Sequence, residues 1–361
     1  MTVFVLVVLP LVLALIKLPP AGLAEHRVLA EAPHVPRTLK DLVELPGQVN
    51  AYVGDHFPAR AQVISLINYA RYRLGYSGSA RVVVGKHGWL FYDNDAHLAF
   101  WRGIQRIDQE SMRLWFAGLD QRVRWLKERN TGFYVLFAPE KPAIFPEFLP
   151  KALRPTHADT ELDDILSIAR ERHFDQLVDP RAALIAAKST AGIYGRFETH
   201  WTGEGAYVAY KVLMDRMSVD YPDLKPLGRD AFSVSQGPDH NLASMLGIAG
   251  FVDEPFPYLA PRTGVAGGPS GERSVRYLTD RTDWTSPYEI TTGSTSSRKL
   301  LIIRDSFSTA LIPLLEPHFG KILSLHYQDS FFPRDYIEKF KPDIVLFEII
   351  DDGARFGMPG F

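Results

Sequence analysis

The chain of 361 residues contains no cysteine. Disulfide bonds, cysteine-ligated zinc, iron–sulfur clusters and a thiol nucleophile are therefore excluded. Histidines and carboxylates show no clustered metal-ligand spacing either, so we expect no metal and no other cofactor. A strong charge imbalance is also missing: the formal net charge is −2, which argues against a general nucleic-acid-binding protein. With 46% hydrophobic and 23% charged residues, the composition is that of a folded globular protein.

Long apolar runs are scarce, and the clearest extends from Val3 to Ile16. It is shorter than the roughly 20 residues that a spanning helix needs, but it has the length of a signal-peptide core. Gly22-Leu23-Ala24 then offers a small-x-small cleavage site. A buried core helix is the alternative, which the terminal position and Pro19-Pro20 disfavour. We expect residues 1–24 to be a signal peptide or a membrane anchor, which predicts a periplasmic or other extracytoplasmic protein, in the second case held at the inner membrane.

The hydrophobic pattern predicts an α/β domain over residues 81–361, preceded by a helical N-terminal extension over 25–80. Residues 61–74 have helical spacing, and 81–92 read as a hairpin. From about residue 130, apolar strands alternate with amphipathic helices, which is typical of a parallel sheet flanked by helices. Residues 263–298 are rich in glycine, serine, threonine and arginine and are predicted to be an exposed insertion. The predicted strands are 133–138, 176–179, 299–304, 321–327 and 343–350.

Ser306 lies where the apolar strand at 299–304 runs directly into a helix. This predicts a strand-to-helix turn at the carboxyl edge of the sheet, where open α/β sheets bind ligands. The free N–H groups and the positive dipole end of the helix would favour an oxyanion formed during acyl transfer. Ser306 can therefore be a nucleophile, or it can simply cap the helix.

Glu198 and His200 precede another predicted helix, which starts after Thr202. Being two residues apart, they point the same way if the segment is extended. A carboxylate beside an imidazole fixes the tautomer of a catalytic base, although a surface histidine near a capping threonine has the same pattern. A serine alcohol needs such a base before it can attack. Together, the two segments favour Ser306 as nucleophile, His200 as base and Glu198 as the orienting acid.

Several further segments resemble the alginate O-acetyltransferase proteins of the AlgX and AlgJ type, a branch of the SGNH hydrolase superfamily. The resemblance covers most of the chain, and the block from Val84 to Tyr92, VGKHGWLFY, carries it most specifically. Three departures accompany it: glutamate at 198 for aspartate, arginine at 304 where glycine is frequent, and Asn241 for aspartate. The other matching segments are Asp55 to Arg60, Ala138 to Lys141 with Pro146 to Pro150, Thr199-His200-Trp201, residues 241–247 and Arg304 to Ser308.

The resemblance implies an SGNH hydrolase-like fold and O-acetylation of an exopolysaccharide or cell-wall glycan. It also implies an acid–histidine–serine order, which is the order found here. The acceptor would be a polysaccharide, and a separate multi-pass membrane acyltransferase would supply the acetyl groups. Asn241 would donate to the oxyanion or be a structural loop residue, and Trp201, with Trp89 and Tyr92, would stack on sugar rings or be core.

Two other functions stay open. An esterase that removes acetyl groups would use the same acyl-enzyme, because water and a sugar hydroxyl attack it alike. A glycan-binding scaffold with a degenerate site is the non-enzymatic alternative, which the departures at 198 and 304 keep open. His240, His318 and His326 are interpreted as structural. Asp351-Asp352 could bind a cation, but a solvated strand end is the favoured interpretation.

Overall fold

The computed structural model describes residues 28–56, 60–94, 97–104, 106–157, 159–237, 240–264, 268 and 270–358. The predicted signal peptide or anchor lies outside these residues. Within the described ranges, no helix combines the length and the apolar character needed to cross a membrane.

Helices and strands alternate along the described chain. The α-helices are α1 (Leu39–His56), α2 (Arg60–Arg73), α3 (His97–Trp101), α4 (Gln109–Lys127), α5 (Lys141–Ile144), α6 (Glu161–Glu171), α7 (Arg181–Ala187), α8 (Gly203–Asp220), α9 (Asn241–Met245), α10 (Ser308–Leu315) and α11 (Arg334–Phe340). The strands are β1 (Val82–Val84), β2 (Leu90–Tyr92), β3 (Gly132–Ala138), β4 (Leu177–Val178), β5 (Phe232–Gln236), β6 (Pro257–Pro261), β7 (Ser274–Tyr277), β8 (Tyr288–Thr291), β9 (Lys299–Arg304), β10 (Lys321–His326) and β11 (Ile344–Ile350).

Among the described residues, the central sheet has seven strands in the order β4-β3-β11-β9-β10-β8-β7. The first five strands are parallel to one another. β8 pairs antiparallel with β10, and β7 pairs antiparallel with β8 at the edge of the sheet. The four strands β3, β11, β9 and β10 therefore end at one edge, and the segments that follow them lie close together. The α/β prediction, with a parallel sheet flanked by helices, is confirmed.

The sheet is covered on both faces because its side chains alternate between them. On β9, Leu300 and Ile302 pack with helices α8 and α10, while Leu301 and Ile303 pack with α4 and α6. Local signals position the helices: Asp108 caps α4 by accepting from the Ser111 N–H, and α6 starts with a capping box between Thr160 and Asp163. Burial of each large apolar side chain contributes about 1.5–3 kcal/mol, so the two layers stabilise the sheet that carries the site.

One part of the predicted organisation needs correction. The insertion at 263–298 is not only an exposed loop, because β7 and β8 within it pair with each other and then with β10. The helical N-terminal extension is confirmed, because residues 39–56 form the 18-residue helix α1, which contains Pro46 and buries no residue. The predicted helix at 61–74 and the hairpin at 81–92 are confirmed as α2 and as the β1–β2 pair.

A third apolar cluster anchors the loop that precedes α8. Phe197 packs there with Val82 and Leu90 of the hairpin and with Leu242 and Leu246 around α9. The Leu90 N–H also donates to the Arg196 carbonyl at 2.9 Å. These contacts fix the backbone on either side of Glu198.

Candidate active site

Ser306 lies two residues beyond the end of β9 and two residues before α10, as the sequence predicts. It does not cap that helix: the residue before α10 is Phe307, and no side chain caps it. Ser306 is half-buried, so its hydroxyl is held by the turn while it remains accessible from the edge of the sheet.

His200 contacts both Glu198, two residues before it in the sequence, and Ser306, 106 residues after it. Its Nε2 lies 2.8 Å from the Ser306 Oγ, and its Nδ1 lies 2.7 Å from the Glu198 Oε1. A carboxylate accepts hydrogen bonds only, so Nδ1–H donates to Glu198, and the unprotonated Nε2 accepts from the serine hydroxyl. This hydrogen-bonded order is the one that allows a histidine to remove the proton of an attacking serine. The three residues that the sequence singled out lie together.

Glu198 is fixed by more than the histidine. It is 1% exposed, and its second oxygen, Oε2, accepts the backbone N–H of Asn241 at 2.6 Å. Its Oε1 also accepts the Thr199 N–H at 3.0 Å. The extra methylene of glutamate, relative to aspartate, is thus accommodated by backbone donors from α9 and from its own loop.

Asn241 lies at the same site. Its Oδ1 accepts from the backbone N–H and the hydroxyl of Thr199, at 3.0 and 3.1 Å. Two donors on one atom define which end of the amide is oxygen. The Nδ2 hydrogens are therefore what Asn241 can offer to an oxyanion, consistent with the first of its two predicted roles.

Two buried carboxyl groups hold the turn at Ser306. The Asp305 carboxylate accepts the Phe307 N–H at 2.8 Å and, across to the end of β11, the Ile350 N–H at 2.7 Å. Glu348 of β11 accepts the Asp305 N–H and the Ser308 hydroxyl. Burial raises the pKa of Asp305, while burial and the charge of Asp305 raise the pKa of Glu348 well above its usual range. Both effects favour the neutral form of Glu348.

A cavity of about 590 Å³ opens over the serine. Its lining combines His200, Asn241 and Ser306 with residues that the sequence did not associate with the site. Among them are Trp284 from the β7–β8 loop, His326 at the end of β10, and Tyr327 directly after it. The signal for Trp284 was a tryptophan in a polar insertion. For Glu348, the signal was a charged residue inside an otherwise apolar strand.

Trp201 is not available for substrate binding, contrary to one of its two predicted roles. It is 0% exposed, and its indole Nε1–H donates to the Phe307 carbonyl at 3.0 Å. A sugar cannot stack on a ring with no accessible face. Its role is to join the His200 loop to the serine turn.

Lys141 holds the loop that carries Glu198 by a hydrogen bond to its backbone. It is 3% exposed, and its ammonium donates to the Leu90 carbonyl at 2.8 Å and the Arg196 carbonyl at 3.3 Å. Burial lowers the pKa of Lys141 to about 7. The side chain connects the β1–β2 hairpin with the residues just before Glu198.

A second polar cluster, His97 with Glu140 and Asp352, lies beside the cavity. The His97 Nδ1 is 2.6 Å from one oxygen of each carboxylate, and the three potential ligand atoms lie within 4.8 Å of one another. Burial disfavours a charge on His97, but bonds to Asp352 and Glu140 outweigh burial and raise the pKa of His97 to about 11. A protonated imidazole between two carboxylates accounts for the short distances. Asp351 is buried, at 3% exposed, and the Asp352 side chain is 12% exposed, which corrects the prediction of a solvated strand end.

Comparison with known proteins relates this site to a family. The family model described as "SGNH hydrolase-like domain, acetyltransferase AlgX" matches residues 82–263, half of the chain, which include Glu198, His200 and Asn241 but not Ser306. The probable alginate O-acetylase AlgJ of Pseudomonas aeruginosa is 28% identical over 156 residues, which are 43% of this chain and 38% of that protein. The chain thus spans well under half the length of this relative.

Solved structures share the fold. PatB1 of Bacillus cereus, solved with a sulfonyl adduct, superposes with a TM-score of 0.54 at 15% identity over 75% of this chain and 98% of that one. A DHHW family protein from Eubacterium siraeum gives 0.51 at 18% identity over 78% and 95%. With the matched family model and the SGNH-like architecture, these comparisons lead to one assignment: the chain belongs to the AlgX-type acetyltransferase family with an SGNH hydrolase-like domain.

Proposed function

We propose that this protein transfers acetyl groups to hydroxyls of an exopolysaccharide or cell-wall glycan through an acetyl-serine at Ser306. The observation that carries the proposal is the continuous relay from Glu198 through His200 to the Ser306 hydroxyl, with hydrogen bonds of 2.7 and 2.8 Å. Membership of the acetyltransferase family indicates which acyl group the relay handles.

The reaction has two balanced halves. Ser306 Oγ attacks the carbonyl carbon of an acetyl ester, His200 Nε2 takes the hydroxyl proton, and that proton then protonates the departing alkoxide. In the second half, a sugar hydroxyl attacks the acetyl-serine, gives its proton to His200, and Ser306 leaves with it. Asn241 Nδ2–H would stabilise the oxyanion in both halves, and such donors contribute about 10²–10³ in kcat.

Transfer requires that a sugar hydroxyl outcompete water, which is present at about 55 M in bulk. Positioning achieves this, because well-oriented groups reach effective molarities of about 10⁵–10⁸ M. The cavity of about 590 Å³ beside Ser306 has room for a sugar ring. An acceptor held there would react before solvent does.

The acetyl source proposed is a separate multi-pass membrane acyltransferase, and the proposed site of action is periplasmic or otherwise outside the cytoplasm. Both rest on the family resemblance and on the apolar segment in residues 1–24. An adjacent gene for a multi-pass acyltransferase within a polysaccharide cluster is the expected neighbourhood.

The test compares transfer with hydrolysis. The protein is incubated with 4-nitrophenyl acetate and with the producing organism's polysaccharide in acetylated and unacetylated forms, and sugar-bound acetyl is measured by mass spectrometry. We expect slow hydrolysis with the ester alone and acetyl addition to the unacetylated polymer. Removal of acetyl groups from the first polymer without addition to the second would make the protein a deacetylase.

A further inference from the structure

One wall of the cavity over Ser306 is aromatic, and the relay does not use it. Trp284 is 57% exposed yet lines the same cavity as Ser306. Its neighbour His326 lies edge-on, with ring centroids 4.9 Å apart and planes at 85°, and Tyr327 stacks on His326 at 4.8 Å. An exposed indole face beside a reactive serine is available to pack against a ligand.

The backbone at Trp284 is held in place by an arginine of the serine turn. Arg304, two residues before Ser306, is 2% exposed. Its Nη2 donates to the Trp284 carbonyl at 2.6 Å, and its Nε donates to the Ser324 hydroxyl at 2.8 Å. The arginine that replaces the frequent glycine thus ties the Trp284 loop to the nucleophile turn.

His326 supplies a hydrogen-bond donor with no partner. It is 1% exposed, and its Nδ1 accepts the Gln328 N–H at 3.2 Å. Burial lowers the pKa of His326 to about 4, so the neutral ring carries its proton on Nε2. That Nε2–H finds no hydrogen-bond partner in the described part of the chain and is itself buried, so His326 acts on the cavity by packing edge-on against the indole.

We propose that Trp284, with His326 packed edge-on against it, forms the subsite for the acceptor sugar. A pyranose ring would pack its C–H face on the exposed indole. Arg304 is a positioning residue for this subsite. The inference rests on the proposed function, because it assigns the occupant of the cavity as the acceptor and not as the alcohol portion of the acetyl donor.

The experiment measures how the acetyl group partitions between sugar and water. The full chain is supplied with 4-nitrophenyl acetate and, in turn, unacetylated alginate, cellulose and chitosan oligosaccharides; acetylated sugar is divided by free acetate. Trp284→Ala should lower this ratio about tenfold or more, the effect of losing roughly 1.4 kcal/mol of contact, and Trp284→Phe should stay within about threefold. Tyr76→Ala, at another exposed aromatic outside the cavity lining, is the control.

The outcomes separate the subsite from the transferase proposal. If Trp284→Ala and Tyr76→Ala give equal ratios of acetylated sugar to free acetate, the acceptor subsite is refuted and the relay still stands. The same conclusion follows if Trp284→Ala changes the KM for 4-nitrophenyl acetate measured without sugar. If no sugar is acetylated by the native chain, transfer fails, and the subsite is decided by calorimetric binding of the same oligosaccharides to Ser306→Ala. Binding lost on adding Trp284→Ala would support the subsite; binding unaffected by it, or absent for every glycan, would refute it.

Discussion

At the scale of single residues, Glu198 depends on one hydrogen bond to His200 for its proposed role. Glu198→Gln presents an amide that can turn its NH₂ toward Nδ1 and reverse the tautomer, and loss of such an orienting carboxylate costs up to about 10⁴ in kcat. Glu198→Asp keeps the charge but shortens the reach, so partial activity is expected. Initial rates with 4-nitrophenyl acetate check both variants, and native activity in Glu198→Gln would require a different acid.

Asn241 is expected to act on the transition state and not on substrate binding. Removing the amide in Asn241→Ala should lower kcat by about 10²–10³ with little change in KM, because an oxyanion donor strengthens its bond only as charge develops. The backbone N–H that holds Glu198 survives this substitution. A raised KM at native kcat would instead assign the amide to ground-state binding.

At the scale of elements, Glu348 joins β11 to the turn that carries the nucleophile. Because burial and the charge of Asp305 raise the pKa of Glu348 and favour its neutral form, Glu348→Gln should leave the free energy of unfolding within about 1 kcal/mol of native. Glu348→Ala leaves the Asp305 N–H and the Ser308 hydroxyl unmatched and should cost about 1–3 kcal/mol. Urea denaturation measures both; equal losses would mean that Glu348 is ionised.

The link between the β1–β2 hairpin and the Glu198 loop should make stability depend on pH. The pKa of Lys141 falls from 10.5 to about 7 on folding. Its burial therefore penalises the fold fully below about pH 7, and the penalty disappears as pH rises toward 10.5.

The free energy of unfolding of the native chain, relative to Lys141→Met, should accordingly rise between about pH 7 and pH 10. Chemical denaturation at several pH values measures this difference, and Lys86→Met controls for loss of an exposed lysine that also donates to a backbone carbonyl. Profiles of the native chain and Lys141→Met that stay parallel over this range would show that the lysine is charged in the fold.

At the scale of the whole molecule, the sequence predicts the central strands well because buried parallel strands are nearly continuous apolar runs. It fails where that signal is absent. Strand β7 has only four residues and is exposed along its whole length, so no apolar run marks it. Its pairing with β8 depends on backbone hydrogen bonds that apolar patterning does not report.

The active-site residues also include some features that the sequence predicts and others that it does not. Local patterns predict that Ser306 follows a strand and that Glu198 neighbours His200. Their meeting across 106 residues depends on the order of strands in the sheet, which the family resemblance implied and the residues alone did not. The Arg304–Trp284 contact joins a strand end to a loop 20 residues earlier and has no pattern in the sequence.

The central claim, that Ser306 carries the acetyl group, has a direct test. The native protein is mixed rapidly with 4-nitrophenyl acetate, quenched in acid, digested and analysed by mass spectrometry, with Ser306→Ala and His200→Ala treated in parallel. We expect one added acetyl group on the peptide containing Ser306, and none at this position in either variant. Native turnover of the ester by Ser306→Ala, or an acetyl group found reproducibly on another residue, would contradict the account.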